Sequence, residues 1–243
     1  MNTQDIDVGG FRLGENSERP EVVFLFDVDN TLLENDRVID ELKEHLQREI
    51  GEKHARHYWD IFEELRGDLG YADYLGALQH YRVKHPHEEA LHTISRFLVN
   101  YPFANRLFPE SLDVIGHVGK WGPTAILSDG DVVFQPLKVD RSGLSEAVSG
   151  RVLIYLHKEN ELEDVERRYP ANHYVMVEDK LRLLDAVKKV WGSRVTTVFV
   201  KQGHYAHDPE ILASYPPADI TLERIGDLLD YDLERLLEPK SVK

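Results

Sequence analysis

The chain has 243 residues, 42% of them hydrophobic, and a formal net charge of −15 at pH 7. This length can bury a substantial core in one large domain, with or without a smaller insertion. The excess of acidic residues argues against a nucleic-acid or anionic-membrane partner, because such partners bind basic patches. Since the chain contains no cysteine, disulfides and thiolate chemistry are excluded, and cysteine usage gives no indication of the redox compartment.

Residues 1–20 are rich in Asp, Asn, Gly and Glu, and we predict that they form an N-terminal tail. They lack the basic start and the apolar stretch of a secretory signal peptide. No segment approaches the roughly 18 consecutive apolar residues that a membrane-spanning helix needs. We therefore expect a cytoplasmic protein with no membrane partner.

The first strand signal is an apolar run at 22–26, which leads directly to Asp27, Asp29 and Thr31. A short continuous apolar run is typical of a strand buried on both faces of a parallel sheet, and ligands collect at the carboxyl ends of such strands. Residues two apart on a strand point the same way, but they can diverge once the chain leaves the sheet. One acid could then bind a metal and attack a substrate while the other transfers a proton.

A helical insertion is predicted directly after this strand, at 37–100, because apolar residues recur there at helical spacing and no strand pattern appears. It is bordered by 33–36 on one side and by 100–109 on the other, where two prolines discourage a continuous helix. Histidines cluster in the insertion, and His54 and His57 could share a metal. No third ligand has convincing spacing, so we expect packed or solvated histidines.

Four further strand-like runs follow the insertion, at 124–127, 151–156, 174–177 and 195–200. Each is followed by a polar stretch and a helical pattern, which is the alternation of a parallel α/β sheet. A weaker sixth strand is predicted at 218–222, with a last helix at 223–237. Together with the first strand, these segments form a predicted α/β core domain, which consists of residues 21–36 and 101–243.

Two of these runs lead to residues that could bind a phosphate. Ser128, followed by Asp129 at the end of the second run, could donate to a phosphate together with free N–H groups at a helix start, or could simply cap that helix. Lys158, after the third run, could neutralise both Asp27 and a phosphate, although a lone lysine is usually solvated. Lys138 is the competing candidate for this role.

The fourth run ends on Glu178 and Asp179. A second set of acids at the mouth of the sheet would give a hard cation its oxygen ligands, and Mg²⁺ typically takes one or two carboxylates plus waters and phosphate oxygens. The competing interpretation is that these acids cap the helix that begins near Leu181.

Together these elements resemble the four motifs of the haloacid dehalogenase (HAD) superfamily of phosphohydrolases. The motifs are DVDNT at 27–31, then Ser128, Lys158 and Glu178-Asp179. The intervals of 30 residues from 128 to 158 and 21 residues from 158 to 179 are similar to those of family members. The resemblance implies a Rossmann-like doubly wound parallel sheet with an inserted all-helical cap of the type-one subgroup.

The resemblance also implies a role for each motif residue. Asp27 would be the nucleophile and a ligand of Mg²⁺. Asp29 would be the general acid and base, and its backbone carbonyl would bind the same metal. Thr31 would orient the loop, and the remaining motif residues would serve the phosphoryl group (Ser128, Asp129 and Lys158) or complete the metal site (Asp179, with Glu178 directly or through water).

The sequence departs from the family pattern in the fourth motif. Glu178 stands where many members have Gly or Asp, and the frequent second acid four or five residues later is missing, since Asp185 comes one position too late. After the fifth strand, His204 or His207 could reach the rim of the site or could belong to a structural turn.

Substrate choice should lie in the insertion, which in this family covers the mouth of the sheet. The break at 66–74 between two helical stretches is predicted to approach the site, so that Arg66 and Tyr71 could contact a substrate. The alternative is an interhelical turn with packing tyrosines.

The sequence thus predicts a Mg²⁺-dependent phosphatase for a small phosphorylated metabolite, acting through an aspartyl-phosphate. A phosphomutase or other phosphotransferase of the same superfamily uses the same residues, and a non-catalytic phosphate-ligand sensor is a further alternative. A dehalogenase is disfavoured because it has no use for Asp29. A phosphonatase is disfavoured because it would need a cap lysine that forms an imine, and no lysine of the insertion lies in a context that indicates this role. A receiver domain is disfavoured because it needs only about half this length. The sequence does not predict an oligomeric state.

Overall fold

A computed structural model describes residues 19–237, and the predicted tail lies almost entirely outside them. The core is a six-stranded parallel sheet in the order β3-β2-β1-β4-β5-β6. This sheet confirms the predicted Rossmann-like fold, including the weak sixth strand. The strands are β1 (Val22–Phe26), β2 (Thr124–Asp129), β3 (Val152–Tyr155), β4 (His173–Glu178), β5 (Val195–Val200) and β6 (Ile220–Leu222).

Helices cover both faces of the sheet, which explains why its central strand, β1, is apolar along its whole length. All five residues of β1 are buried. Phe24 and Phe26 belong to one hydrophobic cluster, whereas Val23 and Leu25 belong to the other. Alternate side chains of a strand point to opposite faces, so a central strand covered on both sides needs apolar residues at every position.

The α-helices are α1 (Asn35–Leu69), α2 (Tyr74–Lys84), α3 (Leu91–Asn100), α4 (Ser111–Val118), α5 (Phe134–Arg141), α6 (Leu144–Ala147), α7 (Leu162–Arg168), α8 (Leu181–Trp191), α9 (Pro209–Ser214) and α10 (Leu233–Leu237). Short 3₁₀ helices lie at Phe103–Arg106, Lys158–Asn160, Gly192–Arg194, Tyr205–His207 and Ile225–Leu229. Within residues 19–237, no helix combines the length and the hydropathy that crossing a membrane requires.

Residues 37–100 contain only helices and turns, as the sequence indicates. The part of this segment before the predicted break forms one helix, α1, which is kinked at Gly51 (φ 77°, ψ 162°). The helix also runs through Gly67 and ends with Gly70 in the left-handed conformation (φ 78°). The predicted break at 66–74 is therefore shorter than expected. The division into core and cap at residue 37 stays a prediction.

The predicted single helix at 223–237 is wrong. The structure has a 3₁₀ helix at Ile225–Leu229 and a separate helix, α10. The Asp227 side chain accepts hydrogen bonds from the backbone N–H groups of Glu223 and Arg224, and Asp232 accepts one from the N–H of Glu234. Because side-chain acceptors satisfy the free N–H groups at helix starts, two starts form where the apolar spacing indicates one helix.

Candidate active site

The order of the strands brings the predicted site residues to one edge of the sheet. β1 pairs with β2 on one side and with β4 on the other. Asp27 directly follows β1, Ser128 and Asp129 end β2, and Glu178 ends β4. Because parallel strands present their carboxyl ends at the same edge, residues that are far apart in sequence converge there.

Asp27 is 3% exposed, and both of its carboxylate oxygens have partners. Its backbone N–H donates to the Val177 carbonyl at 3.0 Å, which extends the pairing with β4 by one residue. Oδ1 lies 2.5 Å from Lys158 Nζ, and Oδ2 accepts a hydrogen bond from Thr31 Oγ1 at 3.2 Å. Thr31 therefore orients the Asp27 carboxylate directly, rather than only the loop that carries it.

Three buried acids, Asp27, Glu178 and Asp179, form a cluster in which one oxygen from each lies within 4.8 Å of the others. Glu178 Oε1 accepts hydrogen bonds from the backbone N–H groups of Asp179 (3.1 Å) and Lys180 (3.2 Å). Its Oε2 forms an ion pair with Lys158 Nζ at 2.6 Å. The Glu178 carboxylate is therefore already occupied by a lysine and two backbone donors.

Asp179 differs from the other two acids because neither of its carboxylate oxygens has a hydrogen-bond partner, although the residue is only 1% exposed. Burial raises the pKa of Asp179 well above its usual range. A buried carboxylate without donors is costly unless a cation compensates it. The donor atoms of the cluster are all carboxylate oxygens, which suit a hard cation such as Mg²⁺. The residues therefore fit a metal, and Asp179 is the member of the cluster with both carboxylate oxygens unengaged.

Lys158 is fully buried at the centre of the acids. Besides the carboxylates of Asp27 and Glu178, its Nζ donates to the Leu127 carbonyl at 3.1 Å. Burial alone would lower the pKa of Lys158, but the Asp27 and Glu178 carboxylates outweigh burial and raise it above its usual range. The Lys158 ammonium therefore places a positive charge beside Asp27.

The two residues at the end of β2 also lie in this region. Ser128 is 1% exposed, and its Oγ accepts a hydrogen bond from Gln135 Nε2 at 3.0 Å. The Asp129 carboxylate accepts the backbone N–H of Lys158 at 2.7 Å. Burial raises the pKa of Asp129 to about 6, against the opposing effect of Lys158. Asp129 thus fixes the loop that carries Lys158 and lies beside the predicted phosphate site.

Asp29 is separated from the buried acids and has its own lysine. Its side chain is 26% exposed, and Oδ1 lies 2.5 Å from Lys138 Nζ. Lys138 also donates to Asn35 Oδ1 at 2.9 Å. The sequence leaves Lys138 as a competitor of Lys158 for neutralising Asp27, but the structure pairs Lys158 with Asp27 and Lys138 with Asp29.

A cavity of about 740 Å³ opens at this edge of the sheet, between the core and the helical insertion. Arg66 and Tyr71 line it from the insertion, and Arg66 Nη2 donates to the Tyr205 hydroxyl at 3.1 Å. The core contributes Asp29 and Asp129. Further lining residues include the aromatic side chains of Trp59, Phe62, Tyr74, Phe134 and Tyr215.

Two cavity residues follow no signal that sequence reasoning used. Lys180 lines the cavity, with its Nζ 5.5 Å from the centre of the Tyr205 ring. The carboxylates of Asp179 and Glu178 raise the pKa of Lys180 above its usual range, although burial acts in the opposite direction. Asp36 also lines the cavity and pairs with His204, as described below. Only the position of Lys180 directly after the fourth motif could have drawn attention to it.

The histidines divide into separate groups. His204 lines the cavity, and its Nδ1 lies 2.7 Å from Asp36 Oδ1, whereas His207 is not among the lining residues. In the insertion, His57 Nδ1 lies 2.7 Å from His85 Nε2, and His54 Nδ1 lies 2.8 Å from the Tyr81 hydroxyl. Over residues 19–237, only the Asp27, Glu178 and Asp179 cluster brings three potential ligands within 4.8 Å.

Comparison with known proteins is consistent with this geometry. The chain matches no protein-family model and no curated protein. Among solved structures, it is similar to a protein from Burkholderia xenovorans LB400 that is described as a haloacid dehalogenase-like hydrolase. The two are 59% identical, with a TM-score of 0.84, over 88% of this chain and 99% of the other.

More distant structures share the fold. A haloacid dehalogenase-like family hydrolase from Xanthomonas campestris is 15% identical (TM-score 0.64) over 94% of this chain and 97% of the other. A HAD-hydrolase from Bacillus subtilis, solved bound to magnesium, is 15% identical (TM-score 0.54) over 88% of this chain and 100% of the other. An L-2-haloacid dehalogenase from Xanthobacter autotrophicus is 17% identical (TM-score 0.55) over 89% of this chain and 98% of the other. With the 59% identity to the Burkholderia protein over nearly its full length, these similarities show that the chain belongs to the haloacid dehalogenase-like hydrolases.

Proposed function

We propose that the protein is a Mg²⁺-dependent phosphatase that hydrolyses a small phosphorylated metabolite through an aspartyl-phosphate on Asp27. The second acid, Asp29, carries this proposal. Hydrolysis of a carbon–halogen bond releases a halide, which needs no proton, whereas an alkoxide leaving a phosphate ester does need one. A partly exposed carboxylate on the cavity wall, two residues after the buried Asp27, suits that proton transfer.

In the proposed first step, the Asp27 carboxylate attacks phosphorus, and the bond from phosphorus to the substrate oxygen breaks. Protonated Asp29 gives its proton to the leaving oxygen, so that the product departs as an alcohol. Thr31 and Lys158 hold the Asp27 carboxylate in place for this attack. Splitting one displacement into two easier ones is the general advantage of a covalent intermediate.

In the proposed second step, water attacks the phosphorus of the aspartyl-phosphate. Asp29 takes a proton from that water, inorganic phosphate leaves, and the Asp27 carboxylate is restored. Lys158 and Ser128 would bind the phosphoryl oxygens in both steps. Phosphoryl transfer depends mainly on positioning and charge stabilisation, which a buried lysine in a dry site supplies at close range.

Asp27 and Asp179 would hold the magnesium ion, with Glu178 beside them. When bound, the ion adds positive charge next to the phosphoryl group and compensates the acids. The unpartnered oxygens of Asp179 support this assignment. The magnesium-bound structure of the Bacillus subtilis protein supports it at the level of the fold.

The substrate would bind in the cavity between the core and the insertion. Arg66 and Tyr71 line the cavity on the insertion side, and we propose that they contact the part of the substrate away from the phosphate. The volume of about 740 Å³ fits a small metabolite, and the aromatic lining would contact its apolar surfaces.

A panel of sugar, nucleotide and amino-acid phosphates, assayed for phosphate release with Mg²⁺ and with EDTA, tests the proposal. We expect release from at least one member with Mg²⁺ and its loss in EDTA. Binding of several members without release of phosphate from any would favour the sensor alternative. Halide release from a haloacid, with no phosphatase activity, would contradict the proposal.

A further inference from the structure

The Lys138 ammonium is buried and has only a few atoms within interaction distance. It is 1% exposed, and its Nζ contacts Asp29 Oδ1 at 2.5 Å and Asn35 Oδ1 at 2.9 Å, with the Phe134 ring centre 5.6 Å away. A buried ammonium that has lost its water interacts strongly with the few oxygens that remain within reach. Lys138 is therefore held firmly between Asp29 and Asn35.

Asp29 depends on this contact. Within the part of the chain that the structure describes, Lys138 is the one side chain that hydrogen-bonds the Asp29 carboxylate. The acid is 26% exposed and lines the cavity. Without the lysine, the carboxylate would be free to rotate among its staggered conformations. Proton transfer requires hydrogen-bond reach of the reacting oxygen, so such freedom would slow it.

Lys138 is one of two residues by which helix α5 supports the site. Gln135, three positions earlier, lies on the same side of the helix and donates to Ser128 Oγ at 3.0 Å. Both side chains are buried. The same helical face thus contacts the predicted phosphate-binding hydroxyl through Gln135 and the predicted proton carrier through Lys138. Asn35, the first residue of α1, adds a contact from the start of the insertion.

We propose that Lys138 is a positioning residue that fixes the Asp29 carboxylate for proton transfer to and from the substrate oxygen. The inference rests on the proposed phosphatase function. A purely structural lysine would affect all substrates equally. A lysine that acts through Asp29 would matter most where the leaving oxygen most needs a proton, which is in alkyl phosphates rather than in p-nitrophenyl phosphate.

Turnover of p-nitrophenyl phosphate and of an alkyl phosphate by K138M tests this role. We expect kcat/KM, which covers the leaving-group step and not the later hydrolysis of the aspartyl-phosphate, to fall at least about 10-fold more for the alkyl phosphate than for p-nitrophenyl phosphate. D29N should show the same selectivity with a larger loss, on the order of 100-fold or more for the alkyl phosphate. K188M is the matched control. Lys188 lies on helix α8, forms an ion pair with Asp219 at 2.7 Å and does not line the cavity. It should leave both rates unchanged.

Equal losses of kcat/KM on the two substrates in K138M, or no loss, would overturn the role of Lys138 while leaving the phosphatase function intact. Absence of phosphatase activity in the wild-type protein would remove both proposals. If circular dichroism shows that K138M does not fold, the same comparison of the two substrates is made with N35A. It removes one of the two oxygens that hold Lys138, and we expect a selective loss of roughly 3-fold for the alkyl phosphate. An unselective N35A would then overturn the proposal.

Discussion

At the scale of single residues, each of the two acids after β1 has its own lysine. Asp27 and Lys158 are buried together, whereas Asp29 meets Lys138 at the edge of the cavity. The two environments are suited to different chemistry. A buried acid held at both oxygens is suited to attack from a fixed position, and an acid in contact with water is suited to exchanging protons.

The pKa of Asp129 leads to a prediction about stability and pH. Its folded pKa of about 6 lies above the unfolded value of 3.8, because burial disfavours the charged form. Protonation of Asp129 therefore stabilises the fold below about pH 4, and this contribution is lost as the pH rises to 6. We expect D129N, which stays neutral, to melt at a higher temperature than the wild type at pH 7 in EDTA. The difference should vanish near pH 4.

Asp164 provides a control of opposite sign. Burial would raise its pKa, but hydrogen bonds from Tyr155 and Arg168 lower it below the usual value. Asp164 therefore stabilises the fold above pH 3.8, and the contribution is lost as the pH falls. D164N should melt below the wild type at pH 7. If D129N also melted below the wild type at pH 7, the interpretation of Asp129 would be wrong.

The sequence alone was sufficient to predict that Asp27, Ser128 and Asp179 converge at one edge of the sheet, because each stands at the end of an apolar run. The pairing of Lys138 with Asp29 could not be predicted in the same way. Lys138 lies in the middle of helix α5, and only the packing of α5 against the first loop brings its Nζ to Asp29. A residue that functions through a helix face gives no local sequence signal.

At the scale of secondary-structure elements, helix α1 depends on one glycine for its kink. Gly51 has φ 77° and ψ 162°, a combination that essentially only glycine adopts. A Cβ at Gly51 would have no heavy atom within 4 Å, so a substitution there would act on the backbone alone. Apolar residues recur at helical spacing on both sides of Gly51, but this spacing carries no information about how two helical stretches are joined.

Two glycine variants in α1 should therefore change stability in opposite directions. G51A places a Cβ in the glycine-only region, and we expect it to lower the free energy of unfolding by about 1–3 kcal/mol. Gly67 also has open space around it but lies inside the helix. G67A should raise the free energy of unfolding by up to about 1 kcal/mol. Urea denaturation measures both, and a neutral G51A would contradict the assigned backbone conformation.

At the scale of the whole molecule, the cavity is formed by two parts of the chain that are far apart in sequence. Gly70 ends α1 so close to the loop before Lys158 that a Cβ there would lie 2.7 Å from the His157 ring. Arg66 reaches Tyr205 from the same end of α1. The end of α1 therefore touches the core at two points beside the cavity, and a substrate would meet residues from both parts.

Arg66 should influence recognition of the substrate more than stability. Its side chain is 45% exposed, and its ion pair with Glu63 is long, at 3.4 Å, so the pair contributes little to folding. We expect R66A to raise KM for the preferred metabolite by about 10-fold, which corresponds to the loss of a hydrogen bond from a charged donor. KM for phenyl phosphate, which has no polar group besides the phosphate, should change little.

The matched control for R66A is R48A, because Arg48 lies on the same helix, is also exposed and is not among the residues that line the cavity. It should change neither KM. An unchanged KM of R66A for the metabolite would show that Arg66 does not contact the substrate.

Mg²⁺-dependent phosphate release from an aryl phosphate by D27N tests the nucleophilic role of Asp27 most directly. The amide introduced by this substitution cannot form an aspartyl-phosphate, so we expect no turnover above background. D185N is the matched control, because Asp185 forms an ion pair with Lys189 at 2.7 Å and takes no part in the buried cluster. Its turnover should equal that of the wild type. Turnover by D27N at the wild-type rate would contradict the nucleophilic role of Asp27 and with it the proposed mechanism.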